Sequence, residues 1–405
     1  MLSSSLILSA CSPSSDKKTQ EDTSLTPIVQ NHNQNTEQSH SSSNSTKNEN
    51  QQPKGNMNST YNQTTHAAIK QLFNKFSPNE PGCAYIASFD DGVTYKGAVG
   101  LDSIEKKLPI TTKTIFNLAS VSKQFTAFAI LLLEQEGKLS LDDSILKYVP
   151  SLGAYAEPVT LRHLIHHTGG LVDYMELAEV ANIKETDKLT VEESLEHLKN
   201  HQIAKFPVGT KFEYSNTGYF LLSLVVEKAS GKSLREFSKE RIFEPLNMSD
   251  TAIVDRYPTN FPVARSYLKN KQGAYEIFES PWEQTGDKAV HTNVEDLVKW
   301  GQNLTTGTVG GKDLVKRMSE IGPKISPTGE TIIDNEDYAF GLSIGEDFDC
   351  HYLEHSGLWA GYSSHFMRFP EERLTIAVLS NYEDFDTQEY AIKMAEIILG
   401  KSAKK

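Results

Sequence analysis

The first stretch of the chain has almost nothing to bury. Residues 12–63 are nearly all Ser, Asn, Gln, Thr, Lys and Glu, a composition that stays extended and solvated. Apolar periodicity begins at residues 66–76. There Ala68, Ile69, Leu72, Phe73 and Phe76 recur at helical spacing, and Pro78 and Pro81-Gly82 end the run. Residues 83–89 and 93–99 read as two strands about an Asp90-Asp91-Gly92 turn. Residues 127–133 are apolar on every side, which predicts a buried helix, with Gly137 as its stop. The pattern then stays helical: short at 160–167, longer at 191–201, 220–229, 233–242 and 293–304, with a loop-rich stretch at 250–284. Strand character returns at 339–344, 350–355, 363–369 and 374–381, and a closing helix is expected at 386–399. Strands at both ends and helices between them predict an α+β fold, an α/β sandwich. One antiparallel sheet is built from the two chain ends with flanking helices, and a mostly helical region is inserted.

The chain has 405 residues, 38% of them hydrophobic, enough for a large core. Its formal charge of -13 argues against nucleic acid or an anionic membrane surface as a partner. No stretch is long enough to cross a bilayer as a helix. Residues Leu8-Ser9-Ala10-Cys11 resemble a bacterial lipobox, without a Lys or Arg ahead of the short apolar part. The organisation expected is a lipoprotein signal over 1–10, a lipid on Cys11, a polar tether over 11–63 and a catalytic domain over 64–401. Such a protein would be exported and held at the membrane of a bacterial envelope by its N-terminal lipid. Cys83 and Cys350 remain, each in a strand-like run. Sequence does not establish a pairing between them, and two inert free thiols are expected.

Chemistry concentrates at Ser120-Val121-Ser122-Lys123, at the mouth of the apolar helix. Residues three apart leave the same helix face. An ammonium fixed to an apolar helix is desolvated, so its pKa falls and it can accept the serine proton. The helix dipole favours the alkoxide that forms. The bare Ser-x-x-Lys spacing is unspecific: it recurs at Ser14, Ser103, Ser144, Ser266 and Ser402. Those copies lie in polar or amphipathic segments. His163 and His167 have zinc-ligand spacing, but no Glu follows the first and no distant cluster completes a site. With His166 they are expected to satisfy local contacts.

Two further stretches follow in order, Tyr214-Ser215-Asn216 and His355-Ser356-Gly357. With Ser120-Val121-Ser122-Lys123 they resemble the serine β-lactamase-like family: class C β-lactamases, DD-peptidases, D-aminopeptidases and related esterases. The resemblance spans about residues 68–400 and includes Leu164 to Leu171, Pro245-Leu246-Asn247-Met248 and Val378-Leu379-Ser380-Asn381. It implies that Ser120 is the acylated nucleophile and that Lys123 shares its proton and keeps Tyr214 partly ionised. Tyr214 would then be general base and later acid. Asn216 would hold substrate and place Lys123. The backbone N–H groups of Ser120 and Leu358 would form the oxyanion hole, with Gly357 leaving room for substrate along the strand.

The chain departs from the family in two places. His355 stands where β-lactamases have lysine, and Lys288-Ala289 stands where Gly-Gly is common. A neutral His355 disfavours substrates that carry a carboxylate, and its protonation at lower pH would restore some preference for them. Lys288 either narrows the loop or reaches the site. The activity implied is acyl-enzyme hydrolysis of esters or peptides, possible cell-wall pieces among them, by a monomer without metal or organic cofactor. The alternatives are a slow penicillin-binding or β-lactam-sensing protein and a true class C-like β-lactamase.

Overall fold

The continuous apolar runs near both ends of the chain form one sheet. The structure, a computed structural model, describes residues 55–403 apart from 257–258, 325, 327–328 and 333–336. Side chains are described from residue 63 onward. Cys11, the signal over 1–10 and most of the tether lie outside the described residues. The principal elements, in chain order, are α1 (Gly55–Phe73), β1 (Cys83–Phe89), β2 (Thr94–Val99), β3 (Phe116–Asn117), α2 (Lys123–Gln135), α3 (Asn216–Ser230), β4 (Ala252–Ile253), β5 (Val290–Thr292), α4 (Val294–Thr306), β6 (Ser343–Gly345), β7 (Tyr352–Trp359), β8 (Tyr362–Phe369), β9 (Leu374–Ser380) and α5 (Thr387–Leu399). Helix α1 begins at Gly55, so backbone expected to belong to the tether is helical.

The sheet runs β6-β7-β8-β9-β1-β2, antiparallel throughout, and joins both chain ends as the strand pattern predicts. Both faces are covered, which is why β8 and β9 are buried along their whole length instead of alternating. On one face α1 and α5 bring Ile69, Phe73, Tyr390 and Met394 against Tyr85, Met367 and Ile376. The Phe73 and Tyr85 rings stack at 3.8 Å. On the other face lie Phe125 and Phe128 of α2 and Trp300 of α4, in the same core as Ala84, Phe366 and Leu379. Trp300 also donates its indole N–H to Gln124 Oε1 at 2.6 Å. A small sheet, β3-β5-β4, leads the chain into α2.

Two strand boundaries differ from those expected. Strand β7 continues to Trp359, past His355, because β8 keeps pairing with it as far as Tyr362. The stretch expected as a strand over 339–344 turns first, with Ala339 N–H on Leu342 C=O and Gly341 at φ +74°. Only Ser343–Gly345 joins the sheet, pairing with residues 352–354, while Ser343 also bridges back to Tyr338. Among the described residues, the outer edge of β7 from 355 to 359 therefore has no strand partner.

Cys83 and Cys350 are both free, as expected. A bidentate pair ties β8 to the end of β1: Arg368 Nη1 and Nη2 donate to Asp90 Oδ1 and Oδ2 at 2.9 and 2.8 Å. The Arg368 side chain is fully buried. Arg368→Met leaves Asp90 with only the exposed Arg373. It should cost roughly 3–5 kcal/mol of stability. A urea midpoint within error of the parent protein would contradict this.

Candidate active site

Strand β3 pairs with β5, Phe116 opposite Thr292 and Asn117 opposite His291. Beyond it the backbone turns sharply: Ala119 sits at φ +47°, a region alanine seldom enters. Asn117 holds that turn, its Oδ1 accepting the Ala119 N–H at 2.8 Å. Segment 290–292 braces both sides. Leu118 N–H donates to Val290 C=O at 2.8 Å, and Val290 N–H donates to Ser122 Oγ at 3.0 Å. Ser120 thus lies on a 3-10 turn, Ala119–Ser122, that runs into α2. The turn precedes the α-helix itself, whose first residue is Lys123.

Lys123 is fully buried. Its Nζ donates to Ser120 Oγ at 3.0 Å, to Asn216 Oδ1 at 2.9 Å and to Asp287 C=O at 3.0 Å. Desolvation is the largest influence on the amine and brings its pKa down to about 7. The Asp287 and Asp173 carboxylates oppose that change and the Lys288 ammonium adds to it. The desolvation expected from the apolar helix is present.

Tyr214 joins this group, with its ring centroid 4.7 Å from Lys123 Nζ and its phenol near enough to Ser120 for that hydroxyl to favour its ionised form. The expected division of protons is reversed. Burial pushes the phenol well above 10, and the neighbouring Ser120 hydroxyl pulls it only part of the way back. Solvent reaches 40% of the residue, which softens that desolvation but supplies no cation to reverse it. The resting pair is a neutral phenol beside a readily deprotonated amine.

Asn216 is the first residue of α3, behind the cap Ser215. With its oxygen on Lys123, its Nδ2 approaches Met175 Sδ at 3.5 Å and its backbone N–H donates to Asp173 Oδ2 at 2.6 Å. The side chain is thereby committed to placing Lys123.

The third stretch corrects three expectations. A Cβ on Gly357 would lie 2.3 Å from Leu118 O and 2.5 Å from Ser364 Oγ. The glycine lets β7 press against the turn that carries Ser120, and the space it leaves is occupied by protein. His355 is only 7% exposed. Its Nδ1–H donates to Ser356 C=O at 2.6 Å, and its Nε2 accepts from Tyr338 O–H at 3.0 Å. Neither nitrogen is left over. Burial, helped by Lys123, pulls the imidazole pKa down to about 3. His355 therefore stays neutral across pH 5.5–8, and its protonation cannot restore a carboxylate preference there. Leu358 is 43% exposed on the open edge of β7.

The sequence reading missed the supports around these residues. His167 is buried, with φ +56°. Its Nδ1 accepts the Ser215 N–H at 3.0 Å, and its ring lies 4.4 Å from Tyr214. Burial holds it neutral. His163 closes a capping box with Thr160, and His166 packs on Phe340. Among the described residues no group of His, Cys, Asp and Glu side chains is placed to hold a metal ion. Lys288 reaches inward beneath the site: its Nζ lies 3.3 Å from Asp287 Oδ2, contacts Tyr174 Oη and sits 4.7 Å from the Trp359 ring. Tyr174 donates to the same Asp287 oxygen at 2.8 Å. The run Asp287-Lys288 beside the unusual Lys288-Ala289 was the available signal for this group.

Three comparisons bear on these stretches. The chain is 33% identical over 331 residues to penicillin-binding protein 4* of Bacillus subtilis (strain 168), covering 78% of this chain and 71% of that protein. It is 25% identical over 329 residues to a D-aminopeptidase of Gluconobacter oxydans (strain 621H), of which it spans 60% while 80% of this chain is covered. Among solved structures it resembles the octameric penicillin-binding protein homologue from Pyrococcus abyssi, with a TM-score of 0.70 and 28% identity over 85% of this chain and 78% of that one. The Beta-lactamase family model matches residues 68–398, a span that contains all three stretches and the whole sheet; the chain belongs to the Beta-lactamase family.

Proposed function

We propose that the protein is a serine hydrolase that forms an acyl-enzyme on Ser120 with esters or amides, cell-wall-derived peptides among them. The observation that carries this reading is the buried Lys123 amine, 3.0 Å from Ser120 Oγ, with a pKa near 7. In its neutral form Nζ takes the serine proton as Oγ bonds to the carbonyl carbon. The oxyanion is received by the backbone N–H groups of Ser120 and Leu358. Tyr214, a neutral phenol, gives its proton to the leaving group and recovers one from Lys123. Water then enters, loses its proton to the same pair and hydrolyses the ester. The similarity to a penicillin-binding protein favours a second reading, slow acylation without turnover. Steady hydrolysis of p-nitrophenyl butyrate separates the two.

The charges behind Lys123 determine when it is neutral. Asp173 and Asp287 favour its ammonium form and Lys288 disfavours it. With both lysines charged the group of four is balanced, so Lys123 gives up its proton against one net negative charge instead of two.

A fluorophosphonate should label Ser120 and fail to label Ser120→Ala. Lys123→Ala should slow labelling by about a thousandfold. Because the amine pKa is lowered, the active form predominates above it. Labelling should rise through about pH 7 and then level off. A profile flat from pH 5.5 to 8.5 would sink the assignment of Lys123 as base.

Lys288→Met removes the cation that opposes protonation of Lys123. The labelling midpoint should move to higher pH, and labelling at pH 6 should slow about tenfold for every pH unit that the midpoint rises. An unmoved or lower midpoint would refute the charge balance.

The anchored organisation is also proposed, from Leu8 to Cys11 and the polar run after it. Mass spectrometry of the protein from its host should find a diacylglyceryl group on Cys11 as the first residue. An uncut, unlipidated N-terminus would rule the anchor out.

A further inference from the structure

Tyr214 stands in irregular chain just ahead of α3, and solvent reaches 40% of it. A proton donor in such a place needs something to fix its position. The stretch Leu164 to Leu171 does this. Its backbone carries the segment before Tyr214 as a short ladder. Lys205 N–H donates to Gly170 C=O at 2.8 Å, Gly209 N–H to Thr168 C=O at 2.9 Å and Glu213 N–H to His167 C=O at 2.9 Å. One step further the acceptor changes from backbone to side chain: Ser215 N–H donates to His167 Nδ1 at 3.0 Å. The N–H groups of the residues before and after Tyr214 thus both end on His167, one on its carbonyl and one on its ring. That ring also backs the phenol, with centroids 4.4 Å apart and planes at 36°. The rings of His355 and Tyr338 lie farther from it, at 6.1 and 6.3 Å.

Two costs accompany this grip. His167 has φ +56°, a region that most residues with a Cβ avoid. Because Nδ1 accepts, the neutral ring carries its proton on Nε2. That nitrogen is buried and has no hydrogen-bond partner among the described residues. What the site gains is an acceptor and a flat ring on the same side of one residue, Tyr214.

We infer that His167 is a positioning residue for Tyr214, holding the phenol where it can give its proton to the leaving group of a substrate bonded to Ser120. The inference rests on the roles proposed above for Ser120 and Tyr214. In that step the bond from the carbonyl carbon to the leaving oxygen breaks, its electron pair stays on the oxygen, and the phenol proton follows; Lys123 returns a proton to the phenolate. An alkyl alcohol leaves badly without that proton. Nitrophenol leaves as a stable anion and does not need it. Loss of the grip should therefore be felt selectively, by substrates with poor leaving groups.

First-turnover release of alcohol from benzyl butyrate and p-nitrophenyl butyrate, with enzyme in excess, reads acylation whether or not the acyl-enzyme is then hydrolysed. Tyr214→Phe should lower the benzyl-to-nitrophenyl rate ratio about a hundredfold. His167→Phe, which keeps a ring but gives up the acceptor, should lower the same ratio at least about tenfold. His167→Gly, which suits the backbone angle, is the second variant and should do likewise. His167→Asn keeps an acceptor and tolerates the angle, and should stay within about threefold of the parent ratio. Added to Tyr214→Phe, His167→Gly should lower the ratio no further. Equal loss on both esters in the Phe and Gly variants, an Asn variant no better than these, or full additivity with Tyr214→Phe would overturn the inference. If Tyr214→Phe shows no selective loss, the acid role of Tyr214 falls and the inference with it. If the parent protein releases neither alcohol, Ser120 as nucleophile is what falls, and the inference falls too.

Discussion

A fully buried lysine amine, held against a serine hydroxyl, is the constraint on which the site depends. Lys123 cannot carry its charge cheaply where it sits, because the body of α2 is buried on all sides as far as Leu133. Three acceptors define its position: Ser120 Oγ, Asn216 Oδ1 and the carbonyl of Asp287. They arrive from the Ser120 turn, from the start of α3 and from the segment before β5. Each element is anchored independently, so the amine is located by the fold. The two carboxylates beneath it would restore its ammonium form, and Lys288 counters one of them. The lysine that looked anomalous beside Ala289 belongs to the electrostatics of Lys123.

The second constraint is how closely β7 approaches the turn that carries Ser120. Only a residue without Cβ fits at 357, because Leu118 O already occupies that space. Ser364 of β8 fastens the same carbonyl, its Oγ donating to Leu118 O at 2.6 Å. The strand is thus locked to the Ser120 turn, while β6 leaves its outer edge uncovered beyond residue 354. That open edge runs beside the turn that carries Ser120, with a neutral histidine at 355.

Much of this was legible in the chain. A sheet from both ends follows from two sets of apolar strand runs separated by helical periodicity. Ser120 and Lys123 are legible from their place at the mouth of an apolar helix, and Tyr214 and Asn216 from the resemblance that their stretch carries. The rest depends on groups brought together across the sequence. Ionisation of Tyr214 was misjudged because a neighbouring cation was weighed and burial was not. His355 was read as an available hydrogen-bonding group because nothing local reveals that Tyr338 reaches it across a turn. Gly357 was read as room for substrate because a glycine in sequence does not say what fills its missing side chain. His365 is nine residues from Ser356 and meets it only through the register of β7 with β8.

The central claim is that Lys123 is a neutral-range amine. It can be read directly by titrating the side-chain 15N and 13Cε resonances of lysine-labelled protein, with Lys123 assigned by its loss in Lys123→Arg. A midpoint near pH 7, well separated from the exposed lysines, is the result predicted. A midpoint near 10, among those lysines, would contradict the account.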